Sequence, residues 1–158
     1  MNSRNLIKDD NAVSISIGYI LMFAITVIVI SVTIISFYSL TNSNEKAAMT
    51  ATFRLIGAGL SNKITTVDTM VNITNSYGGT VNSLEYEFPM SASVADRSYT
   101  VNITNSPYQI ILQSDNGAMT TSSFNISTNF TPIQIYSGAE NYKISYNKSG
   151  SSLNLVEQ

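Results

Sequence analysis

The 158-residue chain carries eight basic and ten acidic side chains and neither cysteine nor histidine. Disulfide staples, thiolate nucleophiles, imidazole bases and the common transition-metal ligands are thereby excluded. Charge is split along the chain, with five basic and three acidic residues through Ile64 but three basic and seven acidic from Thr65 onward. Arg97, Lys143 and Lys148 are too scattered to displace counterions from phosphate, which sets nucleic-acid binding aside.

No residue from Asn11 to Asn44 is charged, and Val13 to Leu40 is almost continuously apolar. That exceeds the roughly 20 residues that cross a bilayer. The Val, Ile and Thr content would favour a strand in water, but hydrocarbon demands that every backbone group be satisfied within the segment, which selects a helix. A cleaved secretory signal has an apolar region of only about 7–15 residues, and a core helix apolar on all sides would need a larger protein around it. The expectation is a single-pass membrane protein in contact with lipid.

Flanking charge barely discriminates orientation: Arg4 and Lys8 precede the span beside Asp9 and Asp10, and Lys46 follows it. The polar tail carries the sequons Asn72-Ile-Thr74, Asn102-Ile-Thr104, Asn125-Ile-Ser127, Asn129-Phe-Thr131 and Asn147-Lys-Ser149. They favour an extracytoplasmic tail and a cytoplasmic N-terminus. In a tail this rich in Ser, Thr and Asn, each Asn reads either as a glycan acceptor or as an ordinary polar strand or turn residue.

The stretch from Lys8 through Asp-Asp-Asn-Ala-Val-Ser-Ile-Ser-Ile-Gly-Tyr-Ile-Leu-Met-Phe-Ala-Ile-Thr to Val27 resembles archaeal type IV pilins and pilin-like proteins. In that family a short charged leader meets the apolar helix directly. Gly18 and the Ile20-Leu-Met22 run match its early helix. The resemblance covers about thirty residues of the chain. It implies that a prepilin-type peptidase removes the leader between Ala12 and Val13. Ile15 stands where many archaeal members have proline, and Ile17 where bacterial pilins carry a glutamate. Freed of its charged end, such a helix can leave lipid and pack against other pilin-like subunits, and Gly18, Ala24, Ser31 and Ser36 are the small residues that would allow close approach.

Beyond the span, Met49, Phe53, Ile56, Leu60, Ile64, Val67 and Val71 recur at spacings of three and four. The helix is expected to continue, with Thr41 to Asn44 as a possible break and Gly57 and Gly59 as points of close approach to a sheet. From Asp68 the pattern becomes period two in Leu84–Phe88, Tyr99–Ile103 and Tyr142–Tyr146, with Tyr108–Gln113 and Phe130–Tyr136 as further strands. Tyr77-Gly-Gly79, Asp115-Asn-Gly117 and Lys148-Ser-Gly150 read as turns. The expected fold class is α+β, a long N-terminal transmembrane helix extending into an antiparallel β-sheet head of five to seven strands. The parts are a leader at 1–12, an assembly helix at 13–40, an outer amphipathic helix at 41–67 and a β domain at 68–158. Val-Asn-Ile-Thr-Asn-Ser occurs at Val71–Ser76 and again at Val101–Ser106, but two copies fall short of the three expected of a repeat architecture.

Glu85 and Glu87 share a strand face and read as a carboxylate pair, with Asp68, Asp96, Asp115 and Glu140 as helpers for acid catalysis or calcium. Alternating glutamates are explained by a solvated strand face. No phosphate loop, nucleophile elbow or EF-hand spacing is present, so no catalytic, cofactor or metal role is expected. Tyr77, Tyr99, Tyr108, Tyr136, Tyr142 and Tyr146 read either as supports for carbohydrate or surface adhesion or as ordinary core and cross-strand partners. The resemblance implies a structural subunit or minor pseudopilin-like component of an archaeal type IV filament or related surface machine. The alternative is a permanently anchored cell-envelope binding protein that does not assemble.

Overall fold

The computed structural model describes residues 6–139 and 141–157, the first nine of them by backbone alone. The chain divides into two compact units, Met1–Asn44 and Glu45–Gln158. One helix, α1 (Leu6–Ser76), contributes to both. Thr41 to Asn44 is helical, so its two asparagines do not break the backbone path.

Within the second unit, Met49, Phe53, Leu60, Ile64, Val67 and Val71 are at most 2% exposed. Their spacing places them on one face of a 3.6-residue helix. Ile56 is partly buried against the same cluster. Gly57 completes the stripe: a Cβ there would meet the Ser122 hydroxyl at 2.5 Å and Leu112 at 3.2 Å, whereas Gly59 faces open space. Only the first glycine is a point of close approach.

The helix passes the expected boundary at Val67 and ends at Ser76. Gly78 adopts φ +78°, Gly78 N–H donates to Asn75 O at 3.2 Å and Gly79 N–H to Thr74 O at 2.9 Å. Tyr77-Gly-Gly79 is therefore a helix C-cap, built where glycine alone enters the left-handed region without strain.

Eight strands follow: β1 (Ser83–Pro89), β2 (Tyr99–Asn105), β3 (Tyr108–Ser114), β4 (Met119–Ser123), β5 (Asn129–Phe130), β6 (Ile133–Tyr136), β7 (Asn141–Asn147) and β8 (Ser152–Glu157). They form two four-stranded sheets, ordered β1-β7-β8-β5 and β4-β3-β2-β6. All pairings are antiparallel except β5 with β8. The architecture is α+β, an apolar N-terminal helix leading into an antiparallel-rich β unit. The expected single strand from Phe130 to Tyr136 is two strands in different sheets, parted at Thr131-Pro132, where proline has no N–H for a ladder. The eight strands exceed the five to seven expected from the sequence, and β4 and β8 are the additions. β4, Met-Thr-Thr-Ser-Ser, lacks any apolar alternation to announce it.

Both sheets and the helix feed one hydrophobic cluster. Phe53 packs on Tyr99 with ring centroids 5.3 Å apart, Phe88 stacks on Tyr142 at 6.2 Å, and Phe124 meets the edge of Phe130 at 5.9 Å. Gly57→Val is expected to destabilise the β unit by about 1–3 kcal/mol through overpacking against Ser122. Gly59→Ala, into open space, is expected to stabilise it by up to about 1 kcal/mol. Denaturant unfolding in detergent compares the two.

Candidate functional site: the apolar helix and the polar ties of the β unit

Two groups of residues stand apart from ordinary core and surface. The first is the apolar part of α1. Ile15 to Leu40 presents large exposed side chains on every side of the helix, among them Phe23 at 72% and Phe37 at 71%. No acidic or basic residue interrupts it. Three of its hydroxyls are turned back on the backbone: Thr26 donates to Met22 O, Ser31 to Val27 O and Thr33 to Val29 O, each at 2.8 Å. These bonds need no water, which is how β-hydroxyl residues are accommodated in a helix surrounded by hydrocarbon. By length and composition α1 is able to cross a membrane.

The small residues singled out in this segment do not form one seam. At about 100° per residue, Ala24 and Ser31 share a face, while Gly18 and Ser36 share another roughly 120–140° away. Gly18 has no heavy atom within 4 Å of a built Cβ. Of the expected cleavage position, Ala12-Val13, the backbone is helical and the side chains lie outside the described residues. Residues 1–5 of the leader also lie outside them.

The second group ties the helix to the β unit by charge. Asp68 is 5% exposed. Its Oδ1 accepts from Thr128 N–H at 2.8 Å, and its Oδ2 from Ser127 N–H and the Asn72 amide, both at 3.0 Å. The carboxylate so anchors the β4–β5 loop to the helix, a job that periodicity alone did not disclose. At Glu45, the Arg97 guanidinium donates to the carboxylate and reaches Asp115 at 3.5 Å. Arg97 is presented by the turn Val94-Ala95-Asp96-Arg97, in which Ala95 and Asp96 both have positive φ. Its hydrogen bond to Glu45, and then that residue's charge, push the guanidinium further up. The Ser114 hydroxyl, and then the charge of Arg97, hold the Asp115 carboxyl below the ordinary carboxylate range.

These carboxylates do not converge. Glu85 pairs with Lys143 at 3.2 Å, Asp68 and Asp115 belong to separate ties, and Glu140 lies outside the described residues. Among the described residues no group of three acidic side chains could hold a metal ion. Of the sequon residues, Asn102, Asn125, Asn129 and Asn147 are exposed and Asn72 is half-buried. Asn72 is engaged with Asp68, and Asn147 Oδ1 accepts from the Ser149 N–H and hydroxyl. Tyr99 and Tyr142 are core residues, Tyr108 and Tyr146 belong to or pack on the core, and Tyr77 and Tyr136 project into solvent.

An apolar helix able to cross a membrane, followed by a β unit sealed by that helix's own second half, defines the class. The chain belongs to a family of unknown function, DUF7266, whose model matches residues 8–156 and so covers the helix and both sheets together. No curated protein and no solved structure matches it.

Asp68→Ala leaves the Ser127 and Thr128 N–H groups without their acceptor and is expected to cost about 1–3 kcal/mol, with faster hydrogen exchange at Ser127 and Thr128 than at β7. A second outcome concerns pH. Burial, and then the neighbouring Tyr142, push the Tyr99 phenol from 10.0 up to about 12, and its hydroxyl donates to Ser91 O at 2.6 Å. A raised folded pKa means that the contribution is whole below pH 10 and is lost as pH climbs toward 12. Unfolding free energy is expected to fall across that window, and Tyr99→Phe is expected to flatten the fall.

Proposed function

We propose that the protein is a membrane-anchored, pilin-like structural subunit, or a minor component, of an archaeal type IV filament or related cell-surface machine. In this reading the apolar segment holds the chain in the membrane with its N-terminus cytoplasmic and the β unit outside. A prepilin-type peptidase then cuts between Ala12 and Val13, and the freed helix joins other pilin-like subunits.

One observation carries the reading: the same helix supplies an exposed, uncharged, internally hydrogen-bonded segment and then the stripe that closes the β core. Such a helix gives lipid or neighbouring helices an apolar surface while its β unit stays folded in water. The charged leader abutting that segment supports the assignment of processing. The family match across residues 8–156 treats the helix and the sheets as one unit.

A second reading is favoured by the placement of the small residues. Gly18 and Ser36 lie on a different face from Ala24 and Ser31, so no single face offers a continuous close-packing seam. A permanent anchor, displaying the β unit without assembling, needs no seam and keeps its leader. Intact-mass and N-terminal peptide analysis of protein from its native envelope separates the two. A mature start at Val13 is expected for the pilin-like route, and retention of Met1 or Asn2 overturns it in favour of the fixed anchor. Mass beyond the polypeptide reports which sequons carry glycan.

A further inference from the structure

Charge is distributed between the two sheets in an unequal way. β1, β7 and β8 carry Glu85, Glu87, Lys143 and Glu157, whereas β2, β3, β4 and β6 contain no charged residue at all. A solvent-facing sheet surface normally relies on charge for solubility and for guarding its edges. Here the outward positions are filled by amides, hydroxyls, the aliphatic side chains of Ile111 and Met119 and one aromatic ring. Val101, Ile103 and Ile135 point into the core, so Thr100, Asn102, Gln134 and Tyr136 point away from it.

The same face holds a groove of about 330 Å³, at the lower end of the roughly 300–1,000 Å³ typical of small-ligand sites. Tyr136, Thr100 and Gln113 are successive partners across β6, β2 and β3. A short threonine between two longer side chains makes a trough whose walls are a ring and an amide about 10 Å apart, two strand spacings. Ser98 and Asp115 also line it. Tyr136 is 66% exposed, the state of a ring that the core does not use.

We propose that this groove binds a neutral sugar, one pyranose ring stacked on Tyr136 and hydrogen-bonded by Gln113, Thr100, Ser98 and the Asp115 carboxylate. The apolar face of a pyranose matches an aromatic ring, and its hydroxyls donate to carboxylate and amide oxygens and accept from hydroxyl and amide hydrogens. Asp115 is ionised and Arg97, its ion-pair partner, is directed to Glu45, so an acidic sugar meets negative charge. The proposal stands whether or not the chain assembles into a filament, because it uses only the outward face of one sheet.

The test is saturation-transfer NMR on the full chain in a zwitterionic detergent, chosen because sugar-headed detergents would compete. Glucose, galactose, mannose and N-acetylglucosamine serve as probes, with glucuronate as the acidic comparison. At least one neutral sugar is expected to bind, and glucuronate more weakly. Tyr136→Ala is expected to weaken that binding about tenfold, the loss of one good ring contact. Gln113→Ala is expected to weaken it as well, and Tyr77→Ala, which removes an exposed tyrosine elsewhere, to leave it unchanged. Binding to none of the probes, equal binding by the Tyr136 variant, or glucuronate binding as tightly as the neutral sugars overturns the proposal. So does a change of oligomeric state on Tyr136→Ala without sugar binding, which would make the face a protein interface.

Discussion

The β unit depends on one contact above all, the buried stripe of α1 from Met49 to Val71. Two four-stranded sheets share a single hydrophobic cluster with that stripe. Phe53 meets Tyr99 of β2, and Gly57 lets the helix backbone approach Leu112 and Ser122 of β3 and β4. Fully burying aliphatic and aromatic side chains contributes roughly 1.5–3 kcal/mol each before chain entropy is counted. Six such residues from one helix make it a wall of the core rather than an accessory. Because the helix that closes the core is also the helix that carries the apolar segment, the β unit cannot be cut away from that helix without losing part of its own interior.

Charge is used sparingly and at fastening points. Asp68 is the one buried carboxylate among the described residues, and it is satisfied by two backbone N–H groups and an amide. Hydrogen bonds to an ionised acceptor are the stronger kind, and losing one partner leaves the desolvation cost of the other uncompensated. At the other end of the stripe, Arg97 links Glu45 and Asp115. These groups are partly exposed, so their ion pairs contribute modestly to stability and serve mainly to fix register. Ala95 and Asp96 accept left-handed backbone to present that arginine.

Much of this was legible in the chain. The uncharged run from Asn11 to Asn44 announced an apolar helix, and the three-and-four spacing from Met49 to Val71 announced the buried stripe residue by residue. Period-two alternation located β1, β2 and β7, and the run Tyr108–Gln113 located β3. The polar ties were not legible, because Asp68, Ser127 and Thr128 are neighbours only after folding, and nothing in the spacing of Glu45, Arg97 and Asp115 marks them as partners. β4 escaped notice because a strand with a single apolar residue, Met119, has no periodic signal, and the division of Phe130–Tyr136 between two sheets follows from a proline whose consequence depends on which strands lie beside it.

The hexapeptide Val-Asn-Ile-Thr-Asn-Ser marks the boundary between the two kinds of information. At Val71–Ser76 it is helix, with Val71 in step with Ile64 and Val67 and only 1% exposed, while Ile73 stays 53% exposed. At Val101–Asn105 its first five residues form β2, with Val101 and Ile103 both fully buried between β3 and β6. By itself the sequence determined the apolar segment, the absence of thiol and imidazole chemistry, and the stripe that must find a core. Which of two backbone periods one identical segment obeys, and which carboxylates meet which N–H groups, was decided by tertiary structure. Six residues carry too little propensity to outweigh the burial offered by whatever packs beside them.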